Sequence, residues 1–330
     1  MKLAIVGVTG MVGTAILKVL EERNFIPDEL IPVASNTSSG KKIVFNSKEY
    51  TVKTINEALK EKPDIAIFSA GKSVSLEYAP LFAKIKTKVI DNSSAWRMYD
   101  DIKLIVPEVN ISILNENDYI IANPNCSTIP LTQILWPLHL KYKLKRVVVS
   151  TYQSVTGSGF KGYNQLMSER AGKKVENPAY PHTIDLNCIP HGGDFLENGY
   201  TEEEMKLINE TRKILNINDL KITCTVVRVP VLGGHSESVN VEFFKKPEIS
   251  SVKKIISASM GVIVLDNPSK NEYPTPLIAQ NKNETFAGRI RLDESNDKAI
   301  NFWLSADNLR KGAATNAIQI AEYISDNFIN

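Results

Sequence analysis

Apolar and polar residues fall in blocks along the first third of the chain, and the blocks predict strand, turn and helix in succession. Leu3-Ala4-Ile5-Val6 is an unbroken apolar run that stops at Gly7, the pattern of a strand buried on both faces. After Gly7-Val8-Thr9-Gly10-Met11-Val12-Gly13 the spacing changes to helical. Val12, Ala15, Ile16, Val19 and Leu20 share one face. Short runs at 30–34, 64–68, 88–91 and 119–122 predict further strands, with a helix-like segment before Asp64. Strands alternating with helices point to a parallel, doubly wound α/β sheet.

The second half reads differently. Arg146-Val147-Val148-Val149-Ser150-Thr151-Tyr152 predicts a strand, followed by Gln153 and the turn Thr156-Gly157-Ser158-Gly159. Thr201-Glu202-Glu203-Glu204 is a capping box, so a helix starts near 202, with Met205, Ile208, Thr211 and Leu215 facing the core. Runs at 222–227 and 239–244 predict strands. The segment 305–330 predicts a strand end and then a helix, with Asp307 or Asn308 as N-cap. Gly312, Ala313, Ala314 and Ala317 give that helix a small-residue face for close packing, expected to return to the first domain.

Composition narrows the partners more than the fold. The 330 residues are 43% hydrophobic, enough for two domains with substantial cores. Lys and Arg number 39 against 37 Asp and Glu, a net charge of +2 with no basic arm, which argues against nucleic acid. No run approaches the roughly 18 apolar residues of a membrane span, and the N-terminal apolar stretch is too short for a signal peptide. Cysteines at 126, 188 and 224 make no disulfide framework. A cytoplasmic protein without membrane attachment is expected.

Candidate chemistry sits where polar residues interrupt these patterns. The first glycine turn lets the chain approach a pyrophosphate and leads into a helix N-terminus. The loop Ser35-Asn36-Thr37-Ser38-Ser39-Gly40-Lys41-Lys42 carries no acid for a ribose 2′-hydroxyl. Its hydroxyls and lysines suit a 2′-phosphate, which favours NADP over NAD. Cys126 lies in Asn123-Pro124-Asn125-Cys126-Ser127-Thr128-Ile129-Pro130, ahead of an apolar run at 129–138 that reads as a helix with Pro130 in its first turn. A helix N-terminus favours a thiolate, the nucleophile of thioester chemistry. Cys224, inside a strand, reads as core.

Gln153 offers an amide to a carbonyl or hydroxyl. Arg228 interrupts an apolar strand, where an unpaired cation is costly and a bound carboxylate would offset that cost. His235 follows two glycines, before the strand at 239–244, and suits proton transfer near neutral pH. Glu210 and Lys213 share a helix face, either as a solvated ion pair or as an anchor for a charged substrate. His182, Cys188 and His191 lack a fourth ligand at zinc-like spacing, so no metal is expected.

Several of these motifs, with Asp91-Asn92-Ser93-Ser94-Ala95-Trp96-Arg97, Tyr152-Gln153-Ser154-Val155-Thr156-Gly157, Glu210-Thr211-Arg212-Lys213 and Asp307-Asn308-Leu309-Arg310-Lys311-Gly312-Ala313-Ala314, follow one another along essentially the whole chain. Together they resemble the aspartate-semialdehyde dehydrogenases. The resemblance implies an N-terminal Rossmann-type domain (1–123 and 308–330) and an α+β catalytic and dimerisation domain (124–307), with the C-terminal helix returning to the first. It implies NADPH-dependent reductive dephosphorylation of L-aspartyl-4-phosphate to L-aspartate 4-semialdehyde through a thioester, in lysine and diaminopimelate, threonine, methionine and isoleucine biosynthesis.

The resemblance also implies roles. Cys126 would be the nucleophile, His235 the acid/base and Gln153 the residue orienting the acyl group. Arg228 and Glu210 would hold the substrate's carboxylate and amino group, and Arg97, Asn125 and Lys213 its phosphate. The dinucleotide would lie against Gly7, Thr9, Gly10, Met11, Val12, Ser35, Thr37, Ser38, Gly71, Thr156, Gly157 and Asn308. Many members carry arginine where this chain has Thr37, so NAD stays open as a second cofactor. The partners implied are the substrate, inorganic phosphate and further copies of the chain, as a homodimer or homotetramer. Two alternatives stand beside this reading: an N-acetylglutamyl-phosphate reductase-like enzyme and a non-catalytic NADP sensor.

Overall fold

The computed structural model describes residues 1–329. The chain divides into two compact units, Met1–Asn125 with the segment from Ala313 onward, and Cys126–Gly312.

The first unit contains β1 (Lys2–Val6), α1 (Met11–Glu22), β2 (Glu29–Val33), β3 (Lys42–Phe45), β4 (Lys48–Thr51), α2 (Ile55–Glu61), β5 (Ile65–Phe68), α3 (Lys72–Lys84), β6 (Lys88–Asp91), β7 (Lys103–Leu104), α4 (Pro107–Asn110) and β8 (Ile120–Ala122). Six strands form one sheet in the order β2-β1-β5-β6-β8-β7, parallel throughout. β5 and β6 are buried at every position and β1 at all but Lys2, which is why β1 and β5 appear in the sequence as apolar runs, while β6 encloses Lys88 and Asp91 at its two ends. The chain leaves β1 to one side for β2 and returns to the other for β5. That reversal makes the crevice at the strands' carboxyl ends the place for a ligand.

Gly7 has φ +92°, and a Cβ on it would lie 2.3 Å from the Ser69 carbonyl oxygen. Only glycine lets the β1–α1 turn pass so close to the end of β5. The small hairpin β3–β4 is not anticipated by the hydrophobic pattern, because exposed Lys42, Val44, Lys48 and Glu49 blur its alternation. Its turn residues Asn46 and Ser47 both have positive φ, 47° and 61°, as a two-residue hairpin turn requires.

The expected return of the C-terminal helix is found. Helix Thr315–Phe328 belongs to the first unit, and Ala317, Ile318, Ile320, Ala321 and Ile324 join a core with Leu3, Ile5, Ile16 and Leu20. Asn123 fixes the helix start. Its Oδ1 accepts from Asn316 Nδ2 at 2.7 Å, and its own Nδ2 donates to Asn92 Oδ1 at 2.8 Å. The expected start at Asp307 or Asn308 is corrected. The chain first makes a π-helical turn, Arg310–Ala314, and the α-helix begins at Thr315. Asp307 caps that turn, its Oδ1 accepting from the Leu309 and Arg310 amides at 2.8 and 3.2 Å.

The second unit contains α5 (Thr128–Tyr142), β9 (Leu144–Gln153), α6 (Gly159–Arg170), α7 (Glu202–Leu215), β10 (Lys221–Arg228), β11 (His235–Phe243), α8 (Ile249–Ser257), β12 (Val262–Val264), α9 (Pro276–Ala279), β13 (Thr285–Asp293) and β14 (Asn296–Ala306). Its mixed sheet runs β10-β9-β11-β14-β13-β12. One face, carrying Val147, Val149, Val239, Val241, Ile300 and Phe302, is buried, with α5 packed on β9 and β14 and α7 on β10. The other face is half-exposed and carries Tyr152 and Trp303, whose rings lie 5.2 Å apart. α7 starts with the predicted box: the Thr201 hydroxyl accepts from the Glu204 amide, and the Glu204 carboxylate from the Thr201 amide at 2.7 Å. Met205, expected in the core, is only half-buried.

Candidate active site

Cys126 is half-buried and directly precedes Ser127, the N-cap of α5. Fifteen residues of helix therefore start two residues beyond the cysteine, with Pro130 in the first turn, where an N–H has no partner inside the helix. The free amides and the helix dipole favour the thiolate. Space at the cysteine is tight: a Cβ on Gly312 would lie 2.9 Å from Cys126 Cβ and 3.1 Å from its carbonyl oxygen.

Three strand ends meet in one row. Arg228 at the end of β10 pairs with Gln153 at the end of β9. Across the antiparallel pairing Ser236 faces Tyr152, which puts His235 beside Gln153. His235 is itself the first residue of β11, paired with Ala306. This corrects the expected strand start at 239: buried Ser236 and Glu237 conceal the strand from a search for apolar alternation. Gln153 is fully buried, and its Nε2 donates to Ser127 Oγ at 3.0 Å. Its amide oxygen and His235 Nε2 are enclosed polar atoms with no protein partner. Arg228 Nη1 donates to the Ser154 carbonyl at 3.4 Å. A Cβ on Gly157 would come within 2.4 Å of that nitrogen and 3.2 Å of His235 Nε2, so the glycine leaves room for both groups.

Behind His235 lies a hydrogen-bonded cluster. The Ser154 amide donates to His235 Nδ1 at 3.0 Å, and Ser154 Oγ lies 3.2 Å from the same nitrogen. Ser154 Oγ donates to Asn308 Oδ1 at 3.0 Å, which also accepts from the Gly234 amide at 3.2 Å. Asn308 Nδ2 donates to Thr156 Oγ1 at 3.1 Å. Burial first, and then the Arg228 guanidinium, hold the His235 imidazole well below the usual histidine range. Two residues along β11, Glu237 is wholly enclosed, neither carboxyl oxygen has a partner, and burial pushes the group well above the usual carboxylate range. On α7, Glu210 is buried and Lys213 half-buried, one turn apart.

The first unit presents its own sites. A cavity of about 480 Å³ at the carboxyl ends of β1, β2 and β5 is lined by Gly7, Thr9, Gly10, Ser35 and Asn36, together with Ser69 and Tyr78. The N-cap of α1 is Gly10, with no side chain capping the helix. Its first amides and the glycine turn fit a pyrophosphate. Met11 and Val12 form the first turn of α1. Thr37 and Ser38 are not among the lining residues. The Thr37 hydroxyl pairs with that of Ser35 at 2.9 Å, and the Ser38 amide donates to the Ser35 carbonyl at 2.8 Å. Gly71 is the N-cap of α3. Arg97, nearly buried in the loop after β6, donates to the Asn92 carbonyl at 2.8 Å. Asn125 is buried.

The comparisons bear on both units. The family described as "Semialdehyde dehydrogenase, NAD binding domain" matches residues 2–116, and "Semialdehyde dehydrogenase, dimerisation domain" matches residues 135–311. Aspartate-semialdehyde dehydrogenase of Aquifex aeolicus (strain VF5) is 49% identical over 98% of this chain and 97% of its own. That of Bacillus subtilis (strain 168) is 43% identical over 97% and 96%. The chain belongs to the aspartate-semialdehyde dehydrogenase family. Among solved structures, aspartate semialdehyde dehydrogenase II from Vibrio cholerae has a TM-score of 0.95 at 41% identity, covering 99% of both chains. A second structure of that protein, complexed with ASA, has a TM-score of 0.95 at 40% identity, covering 99% of this chain and 98% of its own.

For an aspartate-semialdehyde dehydrogenase, the second unit carries Cys126, Gln153, Glu210, Lys213, Arg228 and His235, and the first carries Arg97 and Asn125. Asn308, Thr156 and Gly157, expected at the cofactor, belong to the second unit, where Asn308 and Thr156 bond within the His235 cluster. Sequence reasoning missed Ser69 and Tyr78, which line the first unit's cavity, and Ser127 and Ser154. Ser154 acts through its backbone amide, which no residue type advertises; Ser127 sits inside the cysteine motif and was open to recognition there. Among the described residues, no helix is long and apolar enough to cross a membrane, and no three His, Cys, Asp or Glu side chains are grouped to hold a metal.

Proposed function

We propose that this aspartate-semialdehyde dehydrogenase acts in the phosphorylating sense: it converts L-aspartyl-4-phosphate to L-aspartate 4-semialdehyde through a thioester on Cys126, with NADPH as reductant. The observation that carries the proposal is the Arg228–Gln153–His235 row, in which Gln153 is bonded to the residue after Cys126. The Cys126 thiolate attacks the acyl carbon and phosphate leaves. Arg228 pairs with the α-carboxylate, Glu210 with the amino group, and Arg97, Asn125 and Lys213 bind phosphate. Gln153 orients the acyl group, and His235 serves as the acid/base that the family resemblance implies.

The dinucleotide would be held by Gly7, Thr9, Gly10, Met11, Val12, Ser35, Thr37, Ser38 and Gly71, with Thr156, Gly157 and Asn308 of the second unit. When bound, it supplies the hydride that reduces the thioester. NADP is the preferred form, because residues 35–42 contain no acid and two of them line the cavity. The enzyme works in the cytoplasm as a homodimer or homotetramer. The half-exposed face bearing Tyr152 and Trp303 supports self-association. It feeds the biosynthesis of lysine and diaminopimelate, threonine, methionine and isoleucine.

The test is phosphate-dependent reduction of NADP with aspartate semialdehyde, for wild type and Cys126→Ala. Activity in the first and none in the second is expected. An inactive wild type, or an alanine variant with full activity, overturns the proposal.

A further inference from the structure

We infer that Asn92 and Asn123 are positioning residues for Arg97: a buried chain of amides, running from the C-terminal helix through Asn316, Asn123 and Asn92, holds the Arg97 guanidinium in register with the stretch Asn123–Asn125 that leads into Cys126. The inference deepens the proposed thioester chemistry and rests on the phosphate role assigned there to Arg97.

β6 and β8 are adjacent parallel strands, and their last pair is Asp91 with Ala122. The next residues, Asn92 and Asn123, therefore leave the sheet side by side, and the Asn123 amide donates to the Asp91 carbonyl at 2.8 Å. Arg97 lies on the loop that follows Asn92. Asn125 and Cys126 follow Asn123 beyond Pro124, whose ring fixes one backbone angle. Two separate segments thus have to present their groups to one phosphate.

The asparagine side chains join the two segments. Asn92 Nδ2 donates to the Phe68 carbonyl at 3.0 Å. Asn123 Nδ2 donates to Asn92 Oδ1 at 2.8 Å and to the Ala313 carbonyl at 3.2 Å. Asn316 Nδ2 donates to Asn123 Oδ1 at 2.7 Å and to the Ile105 carbonyl at 2.9 Å. A backbone carbonyl can only accept, so each of these carbonyls fixes which end of its asparagine amide carries the hydrogens. None of the three side chains can flip without setting like groups face to face. Asn123 and Asn316 are fully enclosed, where water cannot replace a lost partner.

The chain ends on the phosphate-binding group. Arg97 Nη2 donates to the main-chain carbonyl of Asn92 at 2.8 Å, and the side chain of that same residue accepts the Asn123 bond. The loop between them is fastened along its length. Ser93 Oγ donates to Asp91 Oδ2 at 2.6 Å and accepts from the Ala95 amide at 3.1 Å, and Trp96 Nε1 donates to Ser75 Oγ at 3.0 Å. A long arginine side chain gives up much rotamer freedom when it is held. Holding it before phosphate arrives takes that loss out of the binding step.

The test reads KM for inorganic phosphate in the phosphate-dependent reduction of NADP with aspartate semialdehyde. Asn123→Ala is expected to raise it about tenfold, with KM for NADP changed less than about twofold. Asn316→Ala spares both bonds that Asn123 donates; it is expected to raise the phosphate KM about threefold and carries the test if Asn123→Ala does not fold. Gln319→Ala is the control. It lies on the same helix and donates to Glu108 at 2.9 Å, outside the chain of amides, and both constants are expected to stay at their wild-type values.

A merely structural role would lower Tm in these variants too, so the deciding readout is coupling to Arg97. Arg97→Ala is expected to raise the phosphate KM about 10- to 100-fold. With no guanidinium left to hold, adding either asparagine substitution is expected to raise it less than about twofold further. A phosphate KM unmoved in the folded asparagine variants, or multiplied in full in the double variants, overturns the inference and leaves the phosphate role of Arg97 standing. A phosphate KM unmoved by Arg97→Ala removes that role itself, and the inference with it.

Discussion

Gln153 Nε2 donates to Ser127 Oγ at 3.0 Å, so the last residue of β9 grips the residue beside Cys126. The bond is fully enclosed, and Ser127 is also the N-cap of the helix that favours the thiolate. Gln153→Leu therefore removes both an amide from the site and a partner from a buried hydroxyl. The expected result is a loss of about 10²- to 10³-fold in kcat and of about 1–3 kcal/mol in stability. Steady-state kinetics and urea unfolding check the two parts. A variant with wild-type kcat would separate Gln153 from the chemistry.

Gly157→Ala would bring a methyl group to 2.4 Å from Arg228 Nη1 and 3.2 Å from the His235 ring. The arginine has to move. Losing a charge-assisted bond of about 1.5–3 kcal/mol corresponds to about a 10- to 100-fold rise in KM for aspartate semialdehyde. The comparison is with KM for NADP, expected to change less. A rise confined to KM for NADP would place the glycine on the cofactor side and remove its role in making room for Arg228.

Glu237 and His235 tilt stability in opposite directions. Burial raises the Glu237 carboxyl well above its usual 4.5. Above that value the folded chain keeps a proton that the unfolded chain releases, so stability falls as pH rises, at up to about 1.4 kcal/mol per unit. His235 is depressed below 6.5, so the unfolded chain takes up the proton first and stability falls as pH drops through that region. Glu237→Gln is expected to raise Tm at pH 8 and to change it little at pH 4.5. Parallel melting curves across that range would show that the carboxyl is ionised in the fold.

In the cofactor loop, Ser38→Ala with Lys41→Ala is expected to weaken NADP binding more than NAD binding, and Thr37→Arg to shift preference further toward NADP. Equilibrium titration with each dinucleotide checks this. Equal weakening by the double variant would remove the 2′-phosphate assignment.

The parts of the molecule that were legible in the sequence are those whose signal is apolar. β1 and β5 are buried along nearly their whole length, and their runs mark them. α7 announces itself through Thr201 and Glu204. Cys126 stood out because polar turn residues surround it. What stayed hidden is polar and buried. β11 begins with His235, Ser236 and Glu237, all enclosed, and such a run resembles a loop. The role of Ser154 rests on an amide common to nearly all residue types. The π-helical turn before Thr315 comes from cap bonds that Asp307 makes two and three residues on, so a cap was readable but not the kind of turn it caps.

The C-terminal helix has a consequence for synthesis. The first unit is built from two stretches of chain with the whole second unit between them. As the protein emerges from a ribosome, residues 126–312 can close their own core while the nucleotide-binding sheet still lacks Ala317, Ile318, Ile320, Ala321 and Ile324. The half made first is therefore completed last, and until the helix arrives Leu3, Ile5, Ile16 and Leu20 stay open to solvent and to chaperones.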